Sequence, residues 1–552
     1  MRPRLAGSSS KSARARPRRS RLTVSGSLRN GRQPQFEEWT DVVVVGYGFA
    51  GGAAAINAAD GGAQVLLLDK MAVPGGISIC SGGGFRVARD AAKALEYLIA
   101  TNAGTIDLEL LRTMADGMTE LPHYIAELAK ISNAAVVSLE RPGSYPFPGY
   151  DTFGFLEVES VPEFDASMEY PKVRSLRAGI NAFKVIAENI RARRSIEVRC
   201  ATPVTRLLQD RAGAIVGVEV TGAGRLRQIG ARRGVVLACG GFESSPEMQR
   251  RYWQLRPVLP SATRGNTGDG FRMAQALGAE LAHMWHFHGS YGFRHTDPHY
   301  PFGIRSKKLP DWTPGVLDTS ARMSWILVDA NGRRFMNEYQ PYVHDTGHRY
   351  FDRYDPTAMR FPAVPAFMVF DEPGRRMYPV AKSYINDPDI APYEWSDDNL
   401  REVEIGILKR TDSVAELALA MKVPAAELER TITEWNALCE TGGPDPFGRP
   451  GATRTPIATP PYYCGEVWPV VSNTQGALKH DVAQRVLDTF GQPIPRLYVA
   501  GELGSIWGFL YLSGGNLSEC LVSGRIAGRN VSDETPLSAP VHRRDDEPDP
   551  AV

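Results

Sequence analysis

Apolar and polar positions fall into blocks whose period changes along the chain, and the sharpest block lies near the start. Four valines, Val42-Val43-Val44-Val45, run into Gly46-Tyr47-Gly48-Phe49-Ala50-Gly51-Gly52, and after an alanine-rich stretch a second apolar run, Val65-Leu66-Leu67-Leu68, ends on Asp69. Unbroken apolar runs bounded by glycine turns fit strands buried on both faces, so this segment predicts strand, tight turn, helix, strand. Apolar residues recur at helical spacing over 91–130 and again over 180–192. Short apolar runs at 197–200, 202–208 and 215–220 predict strands, the last two in a small meander. A further buried strand spans 234–242 and ends in a glycine turn, and 265–270 opens a helix.

From about residue 289 the texture shifts. Aromatics, Pro and His become dense and amphipathic helices are predicted at 414–420 and 426–439, which reads as an inserted domain. Nucleotide-domain texture returns from Pro461, with a strand over 496–502 and a helix entered at Gly514-Gly515-Asn516-Leu517. The predicted organisation is a disordered basic arm over 1–35, a nucleotide domain over 36–288 and 461–533, a cap over 289–460, and a disordered tail over 534–552. The fold class is α/β, Rossmann-like and built from separated segments, with an inserted α+β cap.

The glycine spacing carries chemistry. Gly46 lets the strand turn sharply, Gly48 lets backbone approach a pyrophosphate, and Gly51 brings helix against sheet, so a diphosphate can sit on the helix N-terminus. Asp69 ends the second strand, where an acid accepts the ribose hydroxyls of an adenine dinucleotide. The glycine-rich stretch from Lys70 to Phe85, with Gly76, Ser81 and Gly83, lies where backbone runs flush against the same ligand.

Charge changes the picture only at the N-terminus. The first 32 residues carry ten Lys/Arg and no acid; subtracting that +10 from the net +1 leaves about −9 for the remainder. No basic surface on the fold and no nucleic-acid partner are therefore expected. Arg18-Arg19 lacks the apolar segment of an export signal, and no eighteen consecutive residues are apolar, so a cytoplasmic protein without integral membrane contact is expected. The six cysteines are scattered without metal-ligand or disulfide spacing, and the His283, His286, His288 cluster has no accompanying carboxylate ligand pattern, so no metal is expected.

Taken together, Gly46-x-Gly48-x-x-Gly51, Gly75-Gly76 with Ser81-Gly82-Gly83, Ala238-x-Gly240-Gly241-Phe242, Thr267-Gly268-Asp269-Gly270, Arg334-Phe335-Met336-Asn337-Glu338, Ala500-Gly501-Glu502 and Gly514-Gly515-Asn516-Leu517 resemble the FAD-dependent fumarate reductase/succinate dehydrogenase flavoproteins. The resemblance implies non-covalent FAD, because the loop over 71–78 lacks the histidine that carries flavin in respiratory members. It assigns Gly46, Gly48, Gly51 and Asp69 to the ADP half and Val204 to the adenine. Ser81, Gly83 and Glu502 fall to the central and ribitol portions, Asn516 and Leu517 to the flavin pyrimidine, and Lys70, Gly76, Gly240 and Asp269 also count as cofactor-binding residues.

Three cations that hold dicarboxylates in fumarate enzymes are replaced by Asn473, Tyr511 and the arginine-free stretch after Glu338. Each lost charge-assisted bond is worth roughly 1.5–3 kcal/mol, which argues against fumarate. Tyr511 with the Gly515 N–H resembles the pair that grips the ketone oxygen in 3-ketosteroid dehydrogenases, most closely the Δ4-(5α) type. There Ser513 would take the α-proton, Tyr342 or His344 would relay it, and flavin N5 would accept hydride. Tyr511, Ser513 and Tyr342 each also have a packing role open to them, as do the cap aromatics Trp285, Phe287, Tyr291, Phe293, Tyr300 and Phe302. The expected partners are a small apolar ketone and an unidentified electron acceptor. An ene-reductase and an electron-transfer flavoprotein subunit are the alternatives.

Overall fold

A computed structural model describes residues 34–222, 224–310, 322–339 and 348–538. The Glu38–Val45 strand lies in the middle of an eight-stranded sheet, pairing in parallel with Val65–Leu68 on one side and Arg225–Leu237 on the other. Ile196–Arg199 and Pro493–Val499 extend it in parallel, and Val204–Gln209 with Ile215–Gly222 forms an antiparallel meander on Arg225–Leu237. Val42 to Val45 and Val65 to Leu68 are buried throughout. That burial on both faces is why these strands are apolar runs rather than alternating ones.

The Phe49–Asp60 helix covers one face of this sheet and meets the Gly515–Asp533 helix closely. A Cβ on Gly524 would lie 2.6 Å from the Ala50 carbonyl oxygen, and one on Gly528 would lie 2.4 Å from that of Ala54. Only glycine at these two positions, one helical turn apart, lets the helices approach so near.

A second eight-stranded sheet holds Phe287–Arg294, Gly303–Ser306, Ile326–Val328, Ala366–Asp371 and Ala381–Lys382 around a 13-residue central strand, Tyr462–Thr474. Its outer face is covered by the Val414–Met421 and Ala425–Thr441 helices through Leu417, Leu428, Ile432 and Trp435. The Tyr462–Thr474 strand, which falls inside the segment over 461–533 read from sequence as nucleotide domain, pairs within the cap sheet, and the chain rejoins the first sheet at Arg485–Leu487. A valine- and tyrosine-rich strand has the same composition in either sheet; its partners, 51 to 211 residues away, decide. Phe287, Tyr291, Phe293 and Phe302 are cap core, buried to 1% exposure or less, while Trp285 is 44% exposed.

The Arg334-Phe335-Met336-Asn337-Glu338 motif ties the cap together from within. Arg334 forms ion pairs with Glu338 at 2.7 Å and Asp445 at 3.0 Å, Arg449 approaches Glu338 at 3.4 Å, and the Leu327 N–H donates to the same carboxylate. All four charged side chains are buried, and both guanidiniums lie against the Trp435 ring. Removing one member of such a network strands buried charge at a cost of about 3–5 kcal/mol. Glu338→Ala is therefore expected to lower stability by that amount in denaturant unfolding, whereas exposed Glu434→Ala should change it by less than about 1 kcal/mol.

Candidate active site

A cavity of about 870 Å³ runs from the first sheet into the cap. At the nucleotide end its wall contains Gly46, Gly48, Asp69, Lys70, Gly76, Val204, Gly240, Asp269 and Glu502. Gly48 starts the first helix without any side-chain cap, and Ser78 Oγ accepts the Phe49 N–H at 3.0 Å. Gly46 has φ +105°, and a Cβ there would meet the Ala238 oxygen at 2.4 Å, so this turn requires glycine.

Asp69 accepts the N–H groups of Tyr47 at 2.9 Å and Met71 at 2.8 Å, one on each oxygen, while burial holds its carboxyl above the usual range. A carboxylate has about four acceptor sites, so ribose hydroxyls can still be received. Lys70 donates to Thr267 and Asp269, both at 2.6 Å, joining the second strand's end to the Asp269–Gln275 helix.

Gly51 packs the helix against the strand, as its spacing predicts: a Cβ on it would lie 1.8 Å from the Gly46 oxygen. Gly83, which is absent from the wall, also packs against protein: a Cβ there would lie 2.2 Å from the Ala178 carbonyl carbon and 2.4 Å from the Gly179 nitrogen. Ser81 does line the cavity, as do Gly82 and Gly84.

At the other end, Tyr511, Ser513, Asn516 and Leu517 share the wall with His288 and Asn473. The Tyr511 hydroxyl accepts the Asn516 N–H at 3.3 Å. Gly515 does not take the role expected of it: its N–H donates to the Leu512 carbonyl at 2.7 Å, closing the turn that starts the last helix. Tyr342 and His344 lie outside the described residues.

Sequence reasoning overlooked three residues that shape this wall. His288 stands opposite Asn473 in antiparallel register; its Nδ1 lies 3.0 Å from the Asn473 amide oxygen, and its ring packs on Tyr511 with centroids 4.1 Å apart. The only hint in the sequence was the cluster of His283, His286 and His288; burial holds His286, and likewise His348, well below the usual imidazole range. Arg86, 1% exposed, donates through Nε to the Ser513 carbonyl at 2.8 Å and lies 3.8 Å over the Phe155 ring, so it fixes the turn that bears Ser513. Glu519 accepts the Ile506 N–H at 2.7 Å and the Trp507 indole N–H at 3.2 Å, and burial pushes it up to about 8. Trp507 in turn packs edge-on against Tyr511.

Glu502 takes the Thr474 N–H at 2.6 Å and its hydroxyl at 2.9 Å. Burial first, and then the neighbouring Glu243, push the Glu502 carboxyl well above the carboxylate range. The Asn516 Nδ2 is buried with no protein partner among the described residues. An orphaned amide donor at a helix start, a side-chain-free N-cap and a glycine cradle fit a dinucleotide whose flavin carries carbonyl acceptors.

The family model for an FAD binding domain matches residues 41–517. The chain belongs to this FAD-binding family. It is an FAD-dependent oxidoreductase of the fumarate reductase group. A digoxin reductase from Eggerthella lenta is 28% identical, covering 96% of this chain and 93% of its own. A 3-oxosteroid 1-dehydrogenase from Mycobacterium tuberculosis is 27% identical, covering 90% and 98%. Among solved structures, a 3-ketosteroid Δ1-dehydrogenase from Sterolibacterium denitrificans shares the fold with TM-score 0.74 at 23% identity, covering 90% of this chain and 99% of its own. No helix among the described residues is long and apolar enough to cross a membrane.

Asp69 connects the two walls of the dinucleotide cradle, so its loss disturbs both. Each bond to a charged group is worth roughly 1.5–3 kcal/mol. Asp69→Ala is expected to weaken FAD retention at least tenfold, read as the ratio of flavin to protein absorbance after gel filtration. An unchanged ratio would remove Asp69 from the cofactor site.

Proposed function

We propose that this flavoenzyme introduces a double bond beside the carbonyl of a saturated ring ketone, a 3-ketosteroid-like substrate. The observation that carries the reading is the Tyr511 hydroxyl. It sits in the cavity wall, buried, and it accepts the Asn516 N–H, which makes a phenol a stronger donor to the next acceptor. A ketone oxygen received there is polarised, and the charge that grows on it as the α-proton leaves is stabilised in a site largely screened from water. With Gly515 committed to Leu512, Tyr511 bears this role without the partner expected from the family pattern.

The α-proton needs a base, and an alcohol alone is a poor one. Ser513 and His288 share the wall with Tyr511, and we assign the transfer to them, with the hydroxyl as conduit and the imidazole as acceptor. Asn473 directs this: with its amide oxygen accepting from Nδ1–H, the lone pair of the neutral ring is left on Nε2. Tyr342, assigned by resemblance, would complete the relay outward. Bound FAD supplies the two-electron acceptor for the β-hydrogen. Asn473 and Tyr511, at two positions where fumarate enzymes carry cations, support a neutral carbonyl at the reacting end.

The same wall run backwards would saturate an enone, and the similarity to a protein named digoxin reductase favours keeping that direction as the second reading. Anaerobic mixing with a saturated 3-keto-5α-steroid separates the two. Bleaching of the flavin with an unsaturated product supports dehydrogenation; no bleaching, but reoxidation of pre-reduced enzyme by an enone, supports reduction. In either direction Tyr511→Phe is expected to lower kcat about 10²–10³-fold, the usual cost of one oxyanion donor. His288→Asn should lower kcat about 10²–10⁴-fold, the range for a general base, with little change in KM. Wild-type turnover in both variants would refute the assignment.

A further inference from the structure

We propose that Glu519 is a positioning residue for the oxyanion formed at Tyr511. Uncharged, its carboxyl holds the Trp507 ring against the Tyr511 ring; ionised, it opposes the negative charge that grows on the ketone oxygen. The proposal rests on the ring-ketone reading above and adds to it a group that does not touch substrate.

Glu519 lies on the Gly515–Asp533 helix, one turn beyond Asn516, and is 2% exposed. Its Oε1 accepts the Ile506 N–H at 2.7 Å and its Oε2 the Trp507 indole N–H at 3.2 Å, so one carboxyl grips the loop before Tyr511 twice. The Gly508 N–H, donating to Asn102 Oδ1 at 2.6 Å, fixes the next residue of that loop. The fully buried indole stands edge-on to Tyr511, with centroids 5.5 Å apart at 86°. It is also pressed on the start of the helix, since a Cβ on Gly515 would lie 2.4 Å from Trp507 Cζ2. The indole thus touches both the phenol and the turn that follows it.

Among the described residues no cation pairs with Glu519, and burial pushes the carboxyl up to about 8 against the effect of its two N–H donors. It is therefore neutral below about that pH and charged above it. A neutral carboxyl needs an acceptor for its proton. Glu519 and Gln484 both line a void of about 20 Å³, and the Gln484 Oε1 is buried with no hydrogen-bond partner. A carboxylate one ring behind Tyr511, in a site largely screened from water, would instead repel the oxyanion.

The other titratable and charged groups around Glu519 are few. His480 lines the same void, and its two ring nitrogens lie 2.9 Å from the Asp481 and Gly504 oxygens. His283, with Nε2 2.9 Å from the Ser505 oxygen, is held down at about 4 by burial. Cys520, next on the helix, is a thiol that burial pushes far up, with Glu519 and Glu502 adding to the effect. The guanidinium of Arg86 donates to the Ser513, Arg141 and Pro142 carbonyls. The Leu108–Lys130 helix brings only Leu110, Thr113 and Met114 to the void.

The test is the pH dependence of kcat on a saturated 3-keto-5α-steroid for FAD-loaded wild type and two variants. Wild-type kcat is expected to fall about tenfold as pH rises through about 8, with little change in KM. Glu519→Gln keeps one acceptor and carries no charge, so it should lower kcat at neutral pH by less than about tenfold and abolish the alkaline fall. Trp507→Phe leaves a ring but takes one of the carboxylate's two donors, so the fall should move to higher pH. No fall in wild type, or a fall with the same midpoint in wild type and both variants, overturns the proposal. If no ketosteroid is turned over, the functional reading fails separately. Infrared difference spectra of the substrate-free holoenzyme on either side of about pH 8 then judge the carboxyl. A carboxylic C=O band that is lost on the alkaline side in wild type and missing from Glu519→Gln sustains the uncharged acid, and the absence of such a band sinks it.

Discussion

Two helices from opposite ends of the sequence touch backbone to backbone, and the cavity exists because they do. Gly524 and Gly528 on the last helix press against the carbonyls of Ala50 and Ala54 on the first, closer than any side chain would permit. The start of each helix points into the same space. Gly48 and Phe49 thereby face the diphosphate end, while Asn516 and Leu517, more than 460 residues later, face the flavin end. A bulky residue at either glycine would separate these two binding surfaces as well as loosen the packing.

What could be read from sequence follows from how far each feature's causes lie along the chain. The strand–turn–helix–strand unit from Val42 to Asp69 is local, and its glycines answer to steric demands within a few residues; it was legible almost to the residue. Gly83 shows the limit of motif reading, since it fits the pattern while packing against protein rather than lining the cavity. Gly515 shows another. Its amide was available on paper, but the turn from Leu512 consumes it, and only backbone conformation reveals that. His288 stayed hidden because its meaning comes from Asn473, 185 residues away and paired across two strands of the cap sheet. Arg86, anchoring a carbonyl 427 positions later, left no trace in local pattern at all.

Buried charge divides between the two halves of the molecule with different consequences. In the cap, Arg334, Arg449, Glu338 and Asp445 compensate one another, and the result is a fixed scaffold beneath the second sheet. Around the cavity, compensation is incomplete: burial and the neighbouring Glu243 hold the Glu502 carboxyl well above its usual range, and Asn516 keeps an unused donor. Incomplete satisfaction is costly in a core but useful in a site, because a ligand that supplies the missing partner gains what the protein leaves unspent.

Three consecutive residues at the end of the Tyr462–Thr474 strand join cap to cofactor site. Asn473 holds His288 at 3.0 Å, Thr474 gives two hydrogen bonds to Glu502, and Gln475 donates to the Asn516 side chain at 3.4 Å while accepting from Ser505 at 2.7 Å. Successive side chains on a strand point to opposite faces, so a single strand end can address both sides of the cavity at once. A displacement of the cap sheet along this strand would shift the imidazole, the Glu502 carboxyl and the Asn516 amide together. The register between Tyr462–Thr474 and Phe287–Arg294 therefore sets the geometry of the substrate wall relative to the cofactor cradle, which explains why the longest strand of the cap ends inside the site instead of at the surface.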